Sequence, residues 1–186
     1  MLAAKKYRDA LPIQQSISEQ TDAESFAPGK IYNGGFESEI KRERASVFDW
    51  QIADGAQPQI GFDDAEKRGG NRSLVMIFNS SNGKDFRQIS QTIVTESNRK
   101  YIFEALYKSD LKTAATLHWE IIDASDGKNL ATTNAIAERA DWTRLNTEFT
   151  SSENTQAVTV RLVREACKSI ICPISGKVWF DDFSLK

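Results

Sequence analysis

The stretch VWFDDFSL, Val178–Leu185, forms the last apolar run of the chain and interrupts the alternation that a β-strand requires. Side chains two residues apart share one face of a strand, and here the apolar residues change face halfway along. They fall on opposite faces as Val178 with Phe180 and Phe183 with Leu185. Two carboxylates, Asp181 and Asp182, stand at the change of phase. Such a slip suits a β-bulge, which re-aims a neighbouring side chain.

The composition is that of one globular domain. The chain has 186 residues, of which 40% are hydrophobic, and this suffices for one core but hardly for two. Its 24 basic and 26 acidic residues are interleaved along the sequence. This pattern predicts no concentrated positive potential of the kind that attracts nucleic acid or an anionic membrane. No apolar run approaches the roughly 20 residues of a membrane span. The opening MLAAKKYRDA has no signal-peptide core, so we expect a cytoplasmic protein or a fragment whose export signal lies elsewhere.

Residues 1–28 have a different pattern of apolar residues from the rest of the chain. Helical spacing is followed by Leu2, Ala3, Tyr7, Ala10 and Leu11. Pro12 is expected to kink or restart this helix, and TDAESFAPGK then resembles a linker. We therefore expect a helical extension and linker over residues 1–28 and a β domain over residues 29–186.

After Gly29, short alternating runs separated by Gly, Asn, Ser and Asp predict β-strands. Because no helical segment lies between them, they favour an all-β antiparallel sandwich or barrel. The predicted strands are Lys30–Tyr32, Trp50–Ala53, Gln59–Phe62, Ser73–Asn79, Arg87–Val94, Lys100–Lys108, Thr116–Asp123, Arg144–Thr150, Ala157–Arg164 and Val178–Leu185.

Three of these strands have a strongly apolar row, which we expect to face the core between two sheets. These rows comprise Tyr101, Phe103, Ala105 and Tyr107; Leu117, Trp119 and Ile121; and Val158, Val160 and Leu162. The opposite rows carry Glu104, His118, Glu120 and Arg161. If the strands are neighbours, these four polar side chains gather on one outer face of one sheet.

The four tryptophans differ in their expected exposure. Trp119 and Trp142 lie on apolar rows, so we expect both in the core, whereas Trp50 fits either environment. Trp179 stands opposite the row of Val178 and Phe180. It is therefore the best candidate for an exposed aromatic ring.

The two cysteines, Cys167 and Cys172, lie close together in REACKSIICPISG. Their spacing excludes a redox CxxC, and a metal site would need more Cys or His than the single His118. Two interpretations remain open. A disulfide would close a short loop in an oxidising compartment, and the alternative is a pair of free thiols.

Several short motifs occur in an order typical of a known family. The motifs are IYNGGFES, FDWQI, GGNRSLVM, QISQTIV, NRKYIFEALYK, DWTRLNTEF and VWFDDFSL. In this order they resemble the jelly-roll domains of the galactose-binding-like superfamily, especially the carbohydrate-binding modules found beside xylanases and glucanases. The resemblance covers Lys30 to Lys186 and implies a jelly-roll β-sandwich that binds a polysaccharide without catalysis.

A closer likeness is to the C-terminal domain of bacterial tetratricopeptide-repeat proteins associated with exopolysaccharide production. The matching stretches are Asn33–Glu37, Trp142–Phe149, Arg161–Glu165 and Ile174–Asp182. This likeness implies that AAKKYRDALPIQQSI is the last helix of a truncated repeat array, and it suggests a periplasmic or extracellular location. The chain departs from the pattern, because a lone helix is not a repeat domain.

The resemblance also implies a structural calcium, shared by the first and last strands where they meet. Calcium takes about six to eight oxygen ligands from carboxylates and carbonyls. The implied ligands are Glu37 and Asp181, with Asp182 as the substitute and Asn71 or a nearby carbonyl as a further contributor. The alternative left open is an acidic pair that protects an edge strand or pairs with Arg or Lys.

No catalytic constellation is convincing, since the chain has one His and no G-x-S-x-G. Glu104 and Glu120 are the one pair that would suit glycoside hydrolysis, but carboxylates on a sheet face need no catalytic explanation. We therefore expect no enzyme. Sugar recognition combines an aromatic platform with polar groups. The surface expected to provide it comprises Glu104, His118, Glu120, Arg161 and Trp179.

The runner-up hypothesis is an interaction domain of an exopolysaccharide assembly or export protein that binds no sugar. In that case the opposite charges pair across the sheet, and an apolar patch lies near the helix. The expected partner is thus a polysaccharide or oligosaccharide, or else a protein that binds along the helical repeats.

Overall fold

A computed structural model describes residues 5–17, 25–80, 86–113, 115–165, 167 and 172–186. Within these ranges an N-terminal helix, α1 (Tyr7–Ile17), precedes a series of β-strands. The strands are β1 (Gln51–Ile52), β2 (Gln59–Asp63), β3 (Ser73–Ser80), β4 (Ile89–Val94), β5 (Lys100–Thr113), β6 (Thr116–Asp123), β7 (Asn129–Thr132), β8 (Arg139–Thr150), β9 (Ala157–Glu165) and β10 (Ile174–Leu185).

The strands form two antiparallel sheets that pack face to face. Sheet I has the order β1-β4-β9-β6-β7, and sheet II has the order β2-β3-β10-β5-β8. Their facing rows are buried, including the three predicted apolar rows of β5, β6 and β9. The predicted all-β jelly-roll sandwich with a short N-terminal helix is therefore confirmed. Among the described residues no helix is long and apolar enough to cross a membrane.

The slip in β10 is a β-bulge. Asp181 pairs with Leu106 of β5, but the next pair is Ser184 with Glu104, so β10 has one extra residue. Asp182 has a φ of 51°, a left-handed conformation that Asp tolerates better than most residues. The bulge brings all four apolar residues of the stretch into the core. They are Val178, Phe180, Phe183 and Leu185.

Phe183, placed inward by this bulge, is the centre of an aromatic cluster that joins both sheets. Its ring centroid lies 4.9 Å from that of Trp119 in β6 and 5.2 Å from that of Trp50. Phe36, in the segment before β1, contacts the same ring edge-on at 5.6 Å. Edge-to-face pairs of this kind stabilise beyond the area they bury. The predicted core position of Trp119 is confirmed, and Trp50 lies in the core as well.

The predicted first strand, Lys30–Tyr32, is not a strand. The side chain of Gln91 in β4 takes the role of a partner strand there. Its Oε1 accepts a hydrogen bond from the Tyr32 N–H at 3.1 Å, and its Nε2 donates to the Tyr32 carbonyl at 2.9 Å. A buried amide therefore satisfies this backbone where a ladder was expected.

Two further differences involve β7 and β8. The four-residue edge strand β7 is not among the predicted strands. Strand β8 begins at Arg139 rather than Arg144, and its register with β5 shifts between Tyr107 and Ser109. This irregularity breaks the alternation at Trp142. Trp142 is half-buried and lies outside the core clusters, so the prediction that it packs in the core is wrong.

Helix α1 is docked on the sandwich. Ala10 and Leu11 pack in a small apolar cluster with Phe26, Phe48 and Val94 of β4. The helix continues through Pro12 rather than restarting there.

The guanidinium of Arg8 fixes the helix to the loops at one end of the sandwich. It donates to the Thr95 carbonyl at 2.9 Å and to the Thr155 carbonyl at 2.8 Å. Two residues one turn apart on the same helix, Ile13 and Ile17, are exposed.

Replacing Phe183 by Ala is expected to lower the free energy of unfolding by about 3–5 kcal/mol, because the cavity would open where both sheets meet. The matched control is Phe86→Ala. Phe86 is half-buried at the rim of the core, so its loss should cost roughly 1.5 kcal/mol or less. Urea unfolding monitored by tryptophan fluorescence measures both. Equal losses in the two variants would show that Phe183 is not a central core residue.

Candidate functional site

The five residues predicted to form one sugar-binding surface lie on two different sheets. Glu104 and Trp179 belong to β5 and β10 of sheet II, whereas His118, Glu120 and Arg161 belong to β6 and β9 of sheet I. Each points to the outer side of its sheet, because its neighbours in sequence fill the core. The prediction of a single face is therefore wrong. The same separation rules out Glu104 and Glu120 as carboxylates that flank one glycosidic bond.

On the outer face of sheet I, Glu120 and Arg161 are direct cross-strand partners. Arg161 donates from Nε at 2.9 Å and from Nη2 at 2.7 Å to the same oxygen, Oε2 of Glu120. The other oxygen, Oε1, lies 3.6 Å from Nε2 of the buried His118. The side chains of Arg161 and Glu120 remain 36% and 16% exposed, so the pair borders solvent.

Hydroxyl groups continue this polar row towards β4. Thr92 and Thr159 are cross-strand partners whose hydroxyl oxygens lie 2.9 Å apart, and Ser90 pairs with Arg161. Among the described strands of sheet I the one Phe, Tyr or Trp side chain is Trp119, and it faces the core. The outer face thus offers a cation, a carboxylate and hydroxyls, and its one ring, the imidazole of His118, is buried. Such a set can bind hydroxyl or carboxylate groups through hydrogen bonds.

Trp179 is on the outer face of sheet II but is only 8% exposed, so the prediction of an exposed ring is wrong. Its indole Nε1 donates to Oδ2 of Asp63 at 2.8 Å, and this bond lowers the pKa of the Asp63 carboxyl. Val75 and Lys108 are its cross-strand neighbours, and the Lys177 ammonium lies 5.8 Å from the ring centroid. An outward-facing residue is buried here because long neighbouring side chains cover it.

Glu104 is held by cations on both sides. One of its oxygens accepts from Lys186, and the other lies 3.4 Å from Arg144. The hydrogen bond from Lys186 is the main reason that the pKa of Glu104 is lowered. Both oxygens are thus engaged by side chains of the same sheet.

A cavity of about 590 Å³ lies beside Glu104 and extends to the bulge of β10. Charged residues of both signs line it, including Lys30, Glu37, Glu104, Arg144, Asp182 and Lys186. Its floor includes Leu106 and Leu185. Its volume is in the range of small-ligand pockets, so it is a rival to the outer face of sheet I.

The residues predicted to bind calcium do come together at the edge of this cavity. Both oxygens of Glu37 and both oxygens of Asp181 accept N–H groups, and Asn71 donates its amide to Glu37. No group of three His, Cys, Asp or Glu side chains suited to a metal occurs among the described residues. This donor-rich arrangement does not fit a calcium ion, which requires oxygens directed at it. Calcium binding stays a prediction.

Cys167 and Cys172 form a disulfide, with their Cα atoms 5.6 Å apart. This distance is in the normal range for such bonds. The carbonyl of Cys172 also accepts a hydrogen bond from Arg164. The sequence left open a disulfide or a pair of free thiols, and the structure has the disulfide.

The predicted sugar-binding surface did not include Ser90, Thr92 and Thr159. The alternation in QISQTIV and AVTVRLVR places all three opposite the core rows, and this signal would have found them. Asp63 was also missed, and no sequence signal links it to Trp179, because the two lie on strands far apart in the chain.

Residues 29–166 match a protein family described as "Carbohydrate binding domain". A search of the curated proteins found no match. Among solved structures, the chain is similar to a CBM4 structure, with 17% identity and a TM-score of 0.59 over 84% of this chain and 98% of that one.

Two further structures show how broadly this fold is used. TmCBM61, in complex with β-1,4-galactotriose, has 12% identity and a TM-score of 0.56 over 86% of this chain and 99% of that one. A cyclase from Fischerella sp. TAU has 16% identity and a TM-score of 0.53 over 88% of this chain and 97% of that one. At these identities the likeness shows the fold alone.

Replacing Trp179 by Phe keeps a buried ring but removes the N–H donor to Asp63. We expect a loss of about 1–3 kcal/mol in the free energy of unfolding at neutral pH, since the acceptor is a charged group. The control is Trp142→Phe, because no hydrogen bond from the Trp142 indole occurs among the described residues. Chemical denaturation of both variants measures the difference.

The loss in Trp179→Phe should also depend on pH. A carboxyl whose folded pKa is lowered contributes stability above its unfolded pKa of about 3.9, and this contribution disappears as the pH falls through the folded pKa. The difference between the native chain and Trp179→Phe should therefore be largest near neutrality and shrink below about pH 4. A difference that does not change with pH would contradict the role of Asp63.

Proposed function

Because the chain belongs to the carbohydrate-binding domain family, we propose that it binds a polysaccharide or oligosaccharide on the outer face of sheet I, without catalysis. The observation that carries the proposal is the hydrogen-bonded row on that face. It joins His118, Glu120 and Arg161 and continues through the Thr92–Thr159 hydroxyls.

The Glu120–Arg161 pair has capacity left for a ligand. Nη1 of Arg161 makes no hydrogen bond among the described residues, and Oε1 of Glu120 has only His118 nearby. A sugar hydroxyl both donates and accepts, so one ligand can bond the carboxylate and the guanidinium together. Hydrogen bonds to ionised groups are the stronger kind, which supports recognition by this pair.

The lack of an exposed aromatic ring on the described strands of sheet I limits the affinity for each sugar unit. Binding must then come from several hydroxyl contacts along a chain, so an extended polysaccharide suits this face better than one monosaccharide. Weak binding by a single module is strengthened when it is tethered to other binding units. We therefore propose a targeting role beside other domains.

We further propose a periplasmic or extracellular location. The disulfide between Cys167 and Cys172 supports an oxidising compartment, where such bonds persist. A link to exopolysaccharide and to a tetratricopeptide-repeat array is a finer proposal. It is supported only by the sequence resemblance and by helix α1.

A second candidate function is protein interaction, as part of an assembly or export complex that binds no sugar. The exposed Ile13 and Ile17 on α1 favour it, because they form the apolar patch near the helix that this function predicts. The charge pairs on both outer faces also suit it, since they need no ligand.

Glu120→Gln is expected to weaken saccharide binding about tenfold, or roughly 1.4 kcal/mol, because the ligand loses a charged acceptor and Arg161 loses its partner. A glycan array should identify the ligand, and isothermal titration of that glycan should measure the loss. The matched control is Glu104→Gln, which removes a similarly paired carboxylate from sheet II. This control should bind like the native chain.

The remaining outcomes decide between the rivals. Binding lost in Glu104→Gln but kept in Glu120→Gln would place the site in the cavity beside β10 and overturn the face of sheet I. A folded native chain that binds no saccharide would overturn carbohydrate binding and favour the interaction function.

A further inference from the structure

The family resemblance implies a cation where the segment before β1 meets β10. We propose that Arg72, together with the backbone N–H groups of Arg68, Gly69 and Asn71, is a built-in substitute for calcium at this junction. The domain then folds independently of the ion.

Asp181 is the first acidic group at the junction, and it is 1% exposed. Three backbone N–H groups surround it. Arg68 and Gly69 donate to Oδ2 at 2.9 and 3.1 Å, and Asp182 donates to Oδ1 at 2.8 Å. Successive N–H groups of this kind form a nest for an anion. A buried carboxylate needs such compensation, and here the chain itself supplies it.

Glu37 is held by the next residues of the same loop. The Asn71 N–H lies 2.9 and 3.1 Å from its two oxygens, and the Asn71 amide donates to Oε2 at 2.9 Å. Glu37 is therefore stabilised as an anion without a metal.

Three backbone carbonyls of the NGGFE segment also accept hydrogen bonds from the chain itself. Arg72 donates from Nε to the Phe36 carbonyl at 2.9 Å and from Nη2 to the Glu37 carbonyl at 3.0 Å. The Gly34 carbonyl accepts from the Phe183 N–H at 2.9 Å. The positive charge of a guanidinium thus faces the oxygens of the NGGFE segment.

Further contacts fix the guanidinium of Arg72 in this place. Its Nη1 lies 2.5 Å from Oε1 of Glu39, and its carbon lies 4.1 Å from the centroid of the Phe62 ring. A planar fork can satisfy two carbonyls and a carboxylate at once, whereas a lysine would act as a point charge. Arg72 therefore links the NGGFE segment, which precedes β1, to β2 and β3.

The glycines of the loop allow this close approach. Gly70 has a φ of 53°, and a Cβ added there would lie 2.0 Å from Oε1 of Glu37. The sequence RGGNR thus combines a backbone that can wrap a carboxylate with the arginine that replaces the ion.

The first test measures the melting temperature of the native chain in millimolar calcium and in EGTA. We expect the same Tm in both, because a ligand stabilises only a native state that binds it. The second test compares Arg72→Met with Arg68→Met, a matched control whose exposed side chain makes no hydrogen bond or ion pair among the described residues. Arg72→Met should lower Tm by several degrees in either buffer, and Arg68→Met should leave it unchanged.

A second pair of variants separates the two acids. Asp181→Asn should lower Tm, since an amide nitrogen cannot accept the N–H groups, and Asp182→Asn should not. The carboxylate of Asp182 accepts no hydrogen bond among the described residues, and Asn tolerates its left-handed backbone. If Asp181→Asn does not fold, the calcium titration of the native chain still decides.

A calcium-dependent rise in the Tm of the native chain would overturn the proposal. Equal losses in Arg72→Met and Arg68→Met would overturn the role of Arg72. These measurements need no saccharide, so their outcome is separate from that of the binding experiment. Saccharide binding, which rests on the function proposed above, is then expected to be equal in calcium and in EGTA.

Discussion

One extra residue in β10 turns Phe183 into the space between the sheets, and much of the structure follows from that turn. With Phe183 inward, Trp50, Trp119 and Phe36 find a common partner. The backbone of the bulge also approaches the first segment closely, since a Cβ on Gly34 would lie 2.2 Å from the Phe183 carbonyl. Only glycine fits there, so the NGGFE motif and the bulge require each other.

On the outer side of β10, the same bulge buries a carboxylate that needs hydrogen-bond donors. Asp181 is buried beside the cavity, where burial raises the pKa of its carboxyl against the effect of its N–H donors. A negative group in that position needs donors within reach, and the loop between β2 and β3 wraps over it to provide them. Arg72 then joins that loop to the first segment. Packing on the inner side of β10 and charge compensation on its outer side are therefore consequences of one backbone feature.

Alternation predicted which residues face the core, and the register slip predicted the bulge, because both depend on the local period of a strand. Alternation cannot tell which strands are neighbours. Glu104 and Glu120 have similar patterns yet lie on opposite sides of the sandwich, since long-range pairing assigns β5 and β6 to different sheets. Alternation also could not predict how exposed an outward side chain is. Trp179 is covered by Asp63, which lies on a strand far away in the sequence. The break at Trp142 comes from an irregular register, which leaves no clear mark in the sequence.

The two outer faces differ in how freely their charges can exchange partners. On sheet II, both oxygens of Glu104 are engaged by Lys186 and Arg144, so a ligand must displace a cation to reach it. On sheet I, Arg161 holds one oxygen of Glu120 and keeps a nitrogen without a partner among the described residues. The Arg161 side chain is 36% exposed, so its remaining nitrogen borders solvent and is within reach of a ligand. The core around Phe183 lies beneath β6 and β9 and supports these two strands, while the side chains of Glu120 and Arg161 on their outer face can rearrange.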